Sequence, residues 1–459
     1  SVRLAYLLTA QGPAFDAPLI DADYYDYLGL RLARGEGFDP GPFWQPPLYP
    51  VLLGGLYALG GHSLMWPRLL QALLGALTAV FAAGVARRLT DRPGVVLGAG
   101  LLVALHGPLV FYDGELLSTS LGTFLGTAAL GLAVRESPRP TTALGGGVCL
   151  GLGALALAQT LLLLPVLAWA FGRGRVSRGV LCAAACLLGV SCATLTNHAR
   201  SGEWVLISAN GGINLWLGNN ADVDGALALR PGADWERLIN EPARRGVLTL
   251  GAQDAYFTRK ALTWCGANPG PCLDNLVWKA RLLFVARELP RNEDLDTVRT
   301  QSPVLQALTV RLGSLALPYA LLWPLAATEA VALGRQVRAG TRRREALTVA
   351  AAALLLAAPS VLFFVSGRYR APLAPVLCVL AAMGLGTLGS RTALELAGSN
   401  SVTLALGPKG SSARAGRTVL AGNRIRDGPM GRVMAPGSVP SPALGGQTGL
   451  DPFEWTDRR

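Results

Sequence analysis

Acidic and aromatic side chains are concentrated near the amino terminus, where residues 21–27 read DADYYDY. A carboxylate held in a cleft can act as a general base, because it accepts the proton of an attacking hydroxyl. Asp21 is the candidate for this role. The same residue precedes an apolar pattern at helical spacing, so it could instead be the N-cap of a helix. Spacing alone leaves both interpretations open, and it predicts that Asp23 and Asp26 are solvated residues of the first turns.

Two further groups of charged residues could take part in chemistry. The turn YDGELLS carries Asp113 and Glu115, and the segment SGRYR carries Arg368 and Arg370. An arginine between two apolar segments is costly unless it finds a partner or reaches the membrane surface. The two arginines are therefore either part of an anion-binding site or ordinary residues of the membrane interface.

The composition places these residues in a membrane protein. Apolar residues make up 51% of the 459 residues and charged residues only 15%, whereas soluble proteins carry roughly a quarter charged residues. A bilayer-spanning helix needs about 20 mostly apolar residues. Runs of this kind lie at 67–86, 93–112, 116–134, 179–196, 305–333, 346–365 and 370–388. The net charge of +12 comes mostly from arginines in short loops, so no nucleic-acid partner is expected.

Basic loops mark the cytoplasmic side of a membrane protein. Here they lie at 87–92, 135–139, 173–178 and 335–344. Their alternation predicts that residues 141–172 form a tight pair of short helices that turns near Gln159 and Thr160.

The same alternation places residues 197–304 outside as one external segment. It also predicts that residues 46–63, which are short, glycine-rich and led by prolines, lie in the interface without spanning. The acidic cluster, the turn at 112–118, the external segment and SGRYR then meet on the external face. With the apolar stub at the start, about ten spanning helices are expected.

The chain is predicted to consist of a transmembrane domain at 1–388 and a tail at 389–459. The tail is rich in glycine, serine, proline and arginine without periodicity, so we expect it to be disordered and cytoplasmic. Cys265 and Cys272 lie in a polar loop of the external segment, where they could form a disulfide or remain two free thiols.

The order of several motifs resembles a known family. The chain contains DADYYDYLGLRLARGEGF, FWQPPLYPVLLGGLYALGG, LHGPLVFYDGELLSTSLGTFL, ISANGGINLWLGNNADVDG, VWKARLLFVARELPRNED and GRYRAPLAPVLCVLAAMGL. In this order they resemble the polyprenyl-phosphate-dependent glycosyltransferases of the GT-C superfamily, in the branch of the protein O-mannosyltransferases and the lipid A aminoarabinose transferase. The resemblance covers about residues 3 to 388. It implies an all-α polytopic membrane protein, a GT-C-like bundle with juxtamembrane helices and an external segment.

The resemblance also implies roles for individual residues. The family's first acidic position opens a D-x-x-x-Y pattern, which falls on Asp21 with Tyr25, and it places this carboxylate at the reaction centre. The second acidic position falls on the turn at 112–118, where the pattern favours Glu115 over Asp113. Relatives often carry a lysine or arginine just before the P-P-L segment, whereas this chain has Gln45.

The chemistry of the implied reaction points to further candidates. Sugar transfer from a lipid phosphate leaves a polyprenyl phosphate, whose negative charge needs arginine or lysine near the membrane surface. Arg368 and Arg370 are the leading candidates, with Lys279 on a possible amphipathic helix as a further one. Asn214 and Asn219 have amide side chains suited to sugar hydroxyls, although a well-capped loop would use the same residues.

The sequence therefore predicts an integral membrane glycosyltransferase, a hexosyl- or pentosyltransferase that uses Asp21 as base and inverts the anomeric carbon. Its partners would be a polyprenyl-phosphate sugar donor, an exported protein, lipid or glycan acceptor, and membrane lipids. The expected location is a bacterial plasma membrane, with the active site on the periplasmic or external face. No transition-metal site is expected, since His62, His106 and His198 share no ligand spacing, but a divalent cation at the carboxylates stays open. The alternative is a transporter or flippase of a lipid-linked saccharide, a class that usually shows repeated halves and broken helices.

Overall fold

The computed structural model describes residues 2–10, 12–285, 288, 293–313, 315–340 and 342–405. Its regular structure is almost entirely helical, with one short strand pair among the described residues. The predicted all-α fold class is confirmed. Residues 406–459, which hold most of the predicted tail, lie outside the described residues, and the last helix continues to Ala405, past the predicted boundary at 389.

The amino-terminal half supplies the helices around the candidate site. The first four are α1 (Val2–Thr9), α2 (Pro13–Asp16), α3 (Asp21–Ala33) and α4 (Leu48–Gly60). They are followed by α5 (Met65–Leu89), α6 (Pro93–Ala104), α7 (Gly107–Gly114), α8 (Thr119–Ala133), α9 (Pro140–Ala156), a 3-10 helix at Ala158–Leu163, α10 (Leu164–Gly172) and α11 (Val176–Ser201).

The external segment predicted at 197–304 is a run of mostly short helices. These are α12 (Gly211–Gly218), α13 (Val223–Ala228), α14 (Ala233–Ile239), α15 (Glu241–Arg244), α16 (Leu250–Ala267), α17 (Pro269–Leu283) and α18 (Leu295–Arg299). Cys265 and Cys272 form a disulfide between the end of α16 and the start of α17. Disulfides persist in oxidising compartments, so this pairing agrees with the predicted external position of the segment.

The carboxy-terminal part carries the arginine segment. It comprises α19 (Pro303–Leu308), the antiparallel strands β1 (Arg311–Leu312) and β2 (Leu315–Ala316), α20 (Tyr319–Ala339), α21 (Arg343–Leu362), α22 (Gly367–Arg370), a 3-10 helix at Ala371–Leu373 and α23 (Ala374–Ala405).

Fewer helices than predicted have the length and apolarity of a membrane span. Among the described residues four do, at Met65–Leu89, Val176–Ser201, Arg343–Leu362 and Gly367–Gly389, or five if the bent pair α6 and α7 is one span. The estimate of about ten spans stays a prediction, because α8 and α9, which lie in predicted spans, are apolar helices of only 10–17 residues. A glycine- or proline-rich apolar run can satisfy a hydropathy window and still fold as two short pieces.

Two predicted spans are interrupted. The run at 93–112 bends by 43° between α6 and α7. His106 caps the second piece by accepting a hydrogen bond from the Leu109 N–H at 3.3 Å, and Pro108 lies in its first turn. The run at 305–333 starts with α19 and the strand pair, so its helix begins only at Tyr319. The predicted pair of short helices at 141–172 is confirmed in α9 and α10.

Close packing of α3 on α4 positions the acidic cluster. A Cβ at Gly54 would lie 2.7 Å from the Leu32 Cβ, so the two backbones approach to a distance that only glycine allows. Asp26 accepts hydrogen bonds from the Tyr57 hydroxyl at 2.5 Å and from His62 Nε2 at 3.1 Å. Asp26 is therefore not simply a solvated residue, as the helical spacing predicted, but joins α3 to α4.

The predicted topology can be tested by cysteine accessibility. In a background without the free cysteines, Arg34→Cys and Ser63→Cys should react with a membrane-impermeant maleimide in intact cells, because residues 46–63 are predicted not to span. Ser177→Cys, at the start of α11 within the basic stretch 173–178, should react only after permeabilisation. Reaction of Ser63→Cys from the cytoplasmic side alone would overturn the interface assignment.

Candidate active site

The first residue of α3 and the short helix α22 meet in an ion pair. Arg368 Nη1 donates a hydrogen bond to Asp21 Oδ2, although the residues are 347 positions apart in sequence. The side chains are 11% exposed for Arg368 and 24% exposed for Asp21, so the pair is sheltered and still reaches solvent. The structure thus brings together two residues that the sequence predicted separately.

Asp21 does not cap its helix. The residue before the helix is Ile20, and its side chain supplies no cap hydrogen bond. Ile20 has φ 56°, a left-handed conformation that is unfavourable for a β-branched residue. The Asp21 carboxylate is directed to Arg368 and Gln45 and not to the α3 backbone, which removes the N-cap interpretation.

Two amide side chains, linked by a hydrogen bond, hold the second carboxylate oxygen of Asp21. Gln45 Nε2 donates to Asp21 Oδ1 at 3.2 Å, and Gln45 Oε1 accepts from Asn210 Nδ2 at 2.9 Å. Ser208 Oγ donates to Asn210 Oδ1 at 3.2 Å. Both ends of the buried Gln45 amide are therefore used to orient Asp21. Sequence reasoning noted Gln45 only as a departure from the family and missed Asn210, because no spacing signal links them.

Tyr25 is buried on the next turn of α3. Its ring meets the Tyr49 ring edge-on, with centroids 5.1 Å apart. Burial raises the pKa of Tyr25 to about 12; Arg368 opposes this shift and Asp21 adds to it. Tyr25 is thus an uncharged side chain that lines the site beside the ion pair. Its direct contact with substrate stays a prediction.

Glu115 lies in a different environment from Asp21. Gln71 Nε2 donates to the backbone oxygens of Asp113 and Glu115, at 2.9 and 2.8 Å, and fixes the turn after α7. Burial raises the pKa of the Glu115 carboxyl to about 8, Glu293 adds to the shift, and Arg68 opposes it. At neutral pH the group is mostly protonated.

The two predicted acids are not in contact with each other. Among the described residues no hydrogen bond joins Glu115 to Asp21, and the contacts between them run through Tyr25, Tyr49 and Gln71. Asp113 is occupied by Arg3, whose Nε donates to Oδ2 at 2.5 Å. The choice of Glu115 over Asp113 stays a prediction, and Asp113 has a structural partner.

Arg370 is committed to the protein interior. Its Nη2 donates to Glu288 Oε2 at 2.5 Å, its Nη1 donates to the Val285 oxygen at 2.7 Å, and its guanidinium lies 4.1 Å from the Tyr319 ring centroid. Residues two apart on a helix point in directions about 200° apart. Arg368 and Arg370 therefore point to opposite sides of α22. Arg368 faces the candidate site, and Arg370 anchors the segment in the interior.

Lys279 and Asn219 are engaged with each other and with backbone oxygens. Lys279 Nζ donates to Asn219 Oδ1 at 3.0 Å and to the Gly218 oxygen at 2.7 Å, and its side chain is fully buried. Burial lowers the pKa of Lys279 to about 8. Neither side chain is placed to touch a donor phosphate in this arrangement. Asn214, one turn after Asn210 on α12, is half-buried and not engaged in this way.

The described residues contain no group of three or more histidine, cysteine, aspartate or glutamate side chains that could hold a metal ion. The question of a divalent cation therefore stays as the sequence left it. What the arrangement offers chemically is a solvent-reaching carboxylate next to a guanidinium, with two amides alongside. Such a site can accept a proton and bind an anion at the same time.

Arg370 should be a stability residue. Arg370→Ala leaves Glu288 buried without its cation, and breaking a buried pair in this way costs about 3 to 5 kcal/mol. The thermal midpoint of the purified protein in detergent should fall clearly. Arg368→Ala is the matched control and should change it little, because the Asp21 carboxylate keeps access to water. Equal loss in both variants would contradict the division between the two arginines.

Glu115 should make stability depend on pH. Its folded pKa lies above its unfolded value, so its stabilising contribution is complete at acidic pH and is lost as the pH rises through about 8. The thermal midpoint of the wild type should decline between about pH 5 and pH 8.5, and Glu115→Gln should flatten this decline. Glu136→Gln, at an exposed carboxylate, should keep the wild-type slope. An unchanged slope in Glu115→Gln would show that another group is responsible.

Comparison with known proteins finds similar structures but no significant similarity of sequence. No family model matches the sequence, and no curated protein is significantly similar to it. The structure is similar to the oligosaccharyltransferase of Archaeoglobus fulgidus in the apo form, at 14% identity and a TM-score of 0.49 over 87% of this chain and 51% of that chain. It is also similar to ArnT from Cupriavidus metallidurans, at 15% identity and a TM-score of 0.46 in both forms. The apo state covers 86% of this chain and 59% of that one, and the form bound to undecaprenyl phosphate covers 88% and 61%.

The chain thus spans about half to three fifths of the length of these proteins. At these identities and TM-scores the likeness describes the arrangement of helices and nothing about the reaction. The sequence resemblance to GT-C glycosyltransferases therefore stays a resemblance, and these comparisons assign the chain to no family.

Proposed function

We propose that this protein is an integral membrane glycosyltransferase that moves a sugar from a polyprenyl-phosphate-linked donor to an exported acceptor. The observation that carries the proposal is the contact between Asp21 and Arg368. It joins a carboxylate, which can accept a proton, to a guanidinium, which can bind phosphate, in a sheltered site that still reaches solvent.

The reaction assigns a task to each of the two residues. The acceptor hydroxyl oxygen forms a bond to the anomeric carbon, and the bond from that carbon to the phosphate oxygen breaks. The hydroxyl proton passes to Asp21, and the electron pair of the broken bond stays on the polyprenyl phosphate. Arg368 stabilises that growing negative charge through charge-assisted hydrogen bonds. A single displacement of this kind inverts the anomeric carbon, as the family resemblance implies.

The ion pair also gives the donor a way to activate the base. The Arg368 guanidinium is bound to the Asp21 carboxylate. A donor phosphate competes for the same guanidinium, since phosphate and carboxylate both suit its fork of donors. When phosphate takes over Arg368, Asp21 retains the Gln45 amide and one oxygen becomes available for the acceptor proton.

The position of the site in the chain suits a lipid-borne donor. Arg368 lies in the first turn of the apolar segment Gly367–Gly389, which is long and apolar enough to span a membrane. An arginine at such an end can reach the interface where a lipid phosphate lies. We assign the site to the external face of a bacterial plasma membrane, an assignment that the disulfide in the neighbouring segment supports.

The finer features of the reaction are part of the same proposal. The sugar is a hexose or pentose, and the acceptor is a protein, lipid or glycan. Tyr25 and Asn214 are proposed to line the sugar, and Glu115 to act as a second acid behind the site. A divalent cation at the carboxylates is compatible with this reaction.

One observation favours the rival function, a transporter or flippase of a lipid-linked saccharide. The segment of α6 and α7 is bent by 43° at a short break, and broken helices are typical of transporters. Reconstituted vesicles decide between the two. Movement of a lipid-linked sugar across the bilayer without transfer to an acceptor would support the rival.

The variant Asp21→Asn separates the two roles of the pair. Its turnover with a labelled polyprenyl-phosphate donor should fall by about two to four orders of magnitude, the contribution of a positioned general base. Its donor affinity should rise, because the competing carboxylate charge on Arg368 is gone. Arg368→Ala should weaken donor binding by about 1.5 to 3 kcal/mol. Asp23→Asn is the matched control, an exposed neighbour on α3, and should cost much less than about tenfold in turnover.

Near-normal turnover in Asp21→Asn would place the reaction centre elsewhere. Weaker donor binding in that variant would contradict the exchange of partners at Arg368.

A further inference from the structure

The external segment contains a fully buried ammonium. Lys279 on α17 is fully buried, and its Nζ donates to the Gly218 oxygen at 2.7 Å, to Asn219 Oδ1 at 3.0 Å, to the Phe363 oxygen at 3.1 Å and to the Leu362 oxygen at 3.4 Å. A buried charge is costly unless its hydrogen-bonding capacity is used. Here three N–H groups face four oxygens, so the ammonium is held entirely by polar groups of the protein.

These oxygens come from two separate parts of the chain. Gly218 and Asn219 form the end of α12 in the external segment, whereas Leu362 and Phe363 form the end of α21. Asn219 Nδ2 adds a second link by donating to the Leu362 oxygen at 2.8 Å. Lys279 and Asn219 together therefore tie α12 to α21, and we call this set of contacts the Lys279 clasp.

The two backbones are in direct contact inside the clasp. A Cβ added at Gly218 would lie 1.5 Å from the Phe363 oxygen, a distance that no side chain can accept. The neighbouring Phe364 is buried against Ile213, Leu217 and Phe257 of the external segment. The chain between α21 and α22 is thus fixed in two ways. The clasp binds its backbone oxygens, and this small hydrophobic core holds its Phe364 side chain.

Arg368 follows this held stretch by five residues. The path from Phe363 to Arg368 contains only the buried segment 364–367 and the start of α22. A short and buried stretch of chain therefore connects the clasp to Arg368. We infer that Lys279 and Asn219 are positioning residues that set the reach of Arg368 toward the donor phosphate, and that they do not bind the donor themselves. This inference rests on the proposed function only for the identity of the anion.

A double-mutant cycle distinguishes positioning from general stability. The probe is binding of undecaprenyl phosphate to the full chain in nanodiscs. Lys279→Met keeps a similar volume and removes the donors, so it should weaken binding by about fivefold or more, while Arg368→Ala should weaken it by about ten- to hundredfold. Because Lys279 acts through Arg368, adding Lys279→Met to Arg368→Ala should change binding by less than about twofold. An equal factor in both backgrounds would overturn the inference.

Two further variants test whether the loss of binding comes from misfolding. Asn219→Ala removes the second link and keeps the ammonium, so it should show the same dependence on Arg368 with a smaller loss. Lys260→Met is the matched control: its ammonium pairs with Glu241 in the same external segment, and this variant should bind like the wild type. Weakening by Lys260→Met equal to that by Lys279→Met would mean that loss of any lysine from the segment weakens binding, and it would overturn the inference.

A geometric measurement separates failure of this inference from failure of the proposed function. In a background without free cysteines, Asp21→Cys and Arg368→Cys can be joined by a short bismaleimide, with no substrate present. Lys279→Met should lower the yield of this cross-link, and Lys260→Met should not. If wild type and Arg368→Ala bind undecaprenyl phosphate equally, the proposed function fails while the cross-link still tests the clasp. An unchanged cross-link yield in Lys279→Met overturns the clasp whatever the ligand.

Discussion

The ion pair between Asp21 and Arg368 is the interaction on which the candidate site depends. It joins α3 near the amino terminus to α22 near the end of the described chain. The packing of α3 on α4 positions Asp21, and the anchoring of Arg370 to Glu288 positions Arg368. Neither half has a reactive arrangement alone, because a carboxylate without the cation does not bind phosphate and a cation without the carboxylate does not take a proton.

Charged groups in the described structure differ in how easily their partners can be replaced. Arg3, Lys279 and Arg370 are almost fully buried, and each is bound to oxygens of the protein. Removing one partner of a buried pair leaves an uncompensated charge and costs about 3 to 5 kcal/mol. The partly exposed pair of Asp21 and Arg368 opens at far lower cost. The exchange of partners that we propose for a donor phosphate therefore involves the pair that still reaches water.

Several sequence predictions failed where helix ends and loop geometry decided the outcome. Hydropathy predicted one span at 305–333, but a strand pair and Pro318 delay the helix to Tyr319. Spacing allowed Asp21 to be an N-cap, yet the backbone turns at Ile20 and the carboxylate goes to another helix. Hydropathy windows and helical spacing contain no information about where a chain reverses or which distant group a side chain meets.

The sequence by itself determined that the chain is helical and membrane-embedded, since apolar runs and sparse charge leave a bilayer protein no other backbone structure than helices or closed barrels. It also determined which residues could do acid and phosphate chemistry, because residue type sets that capacity. Only the tertiary structure decided which oxygens Arg368, Arg370 and Lys279 each bind. All three are cations beside apolar segments, and their roles depend on which oxygens the packed helices bring within hydrogen-bond distance. That choice is made by contacts between residues hundreds of positions apart, which short-range sequence patterns do not encode.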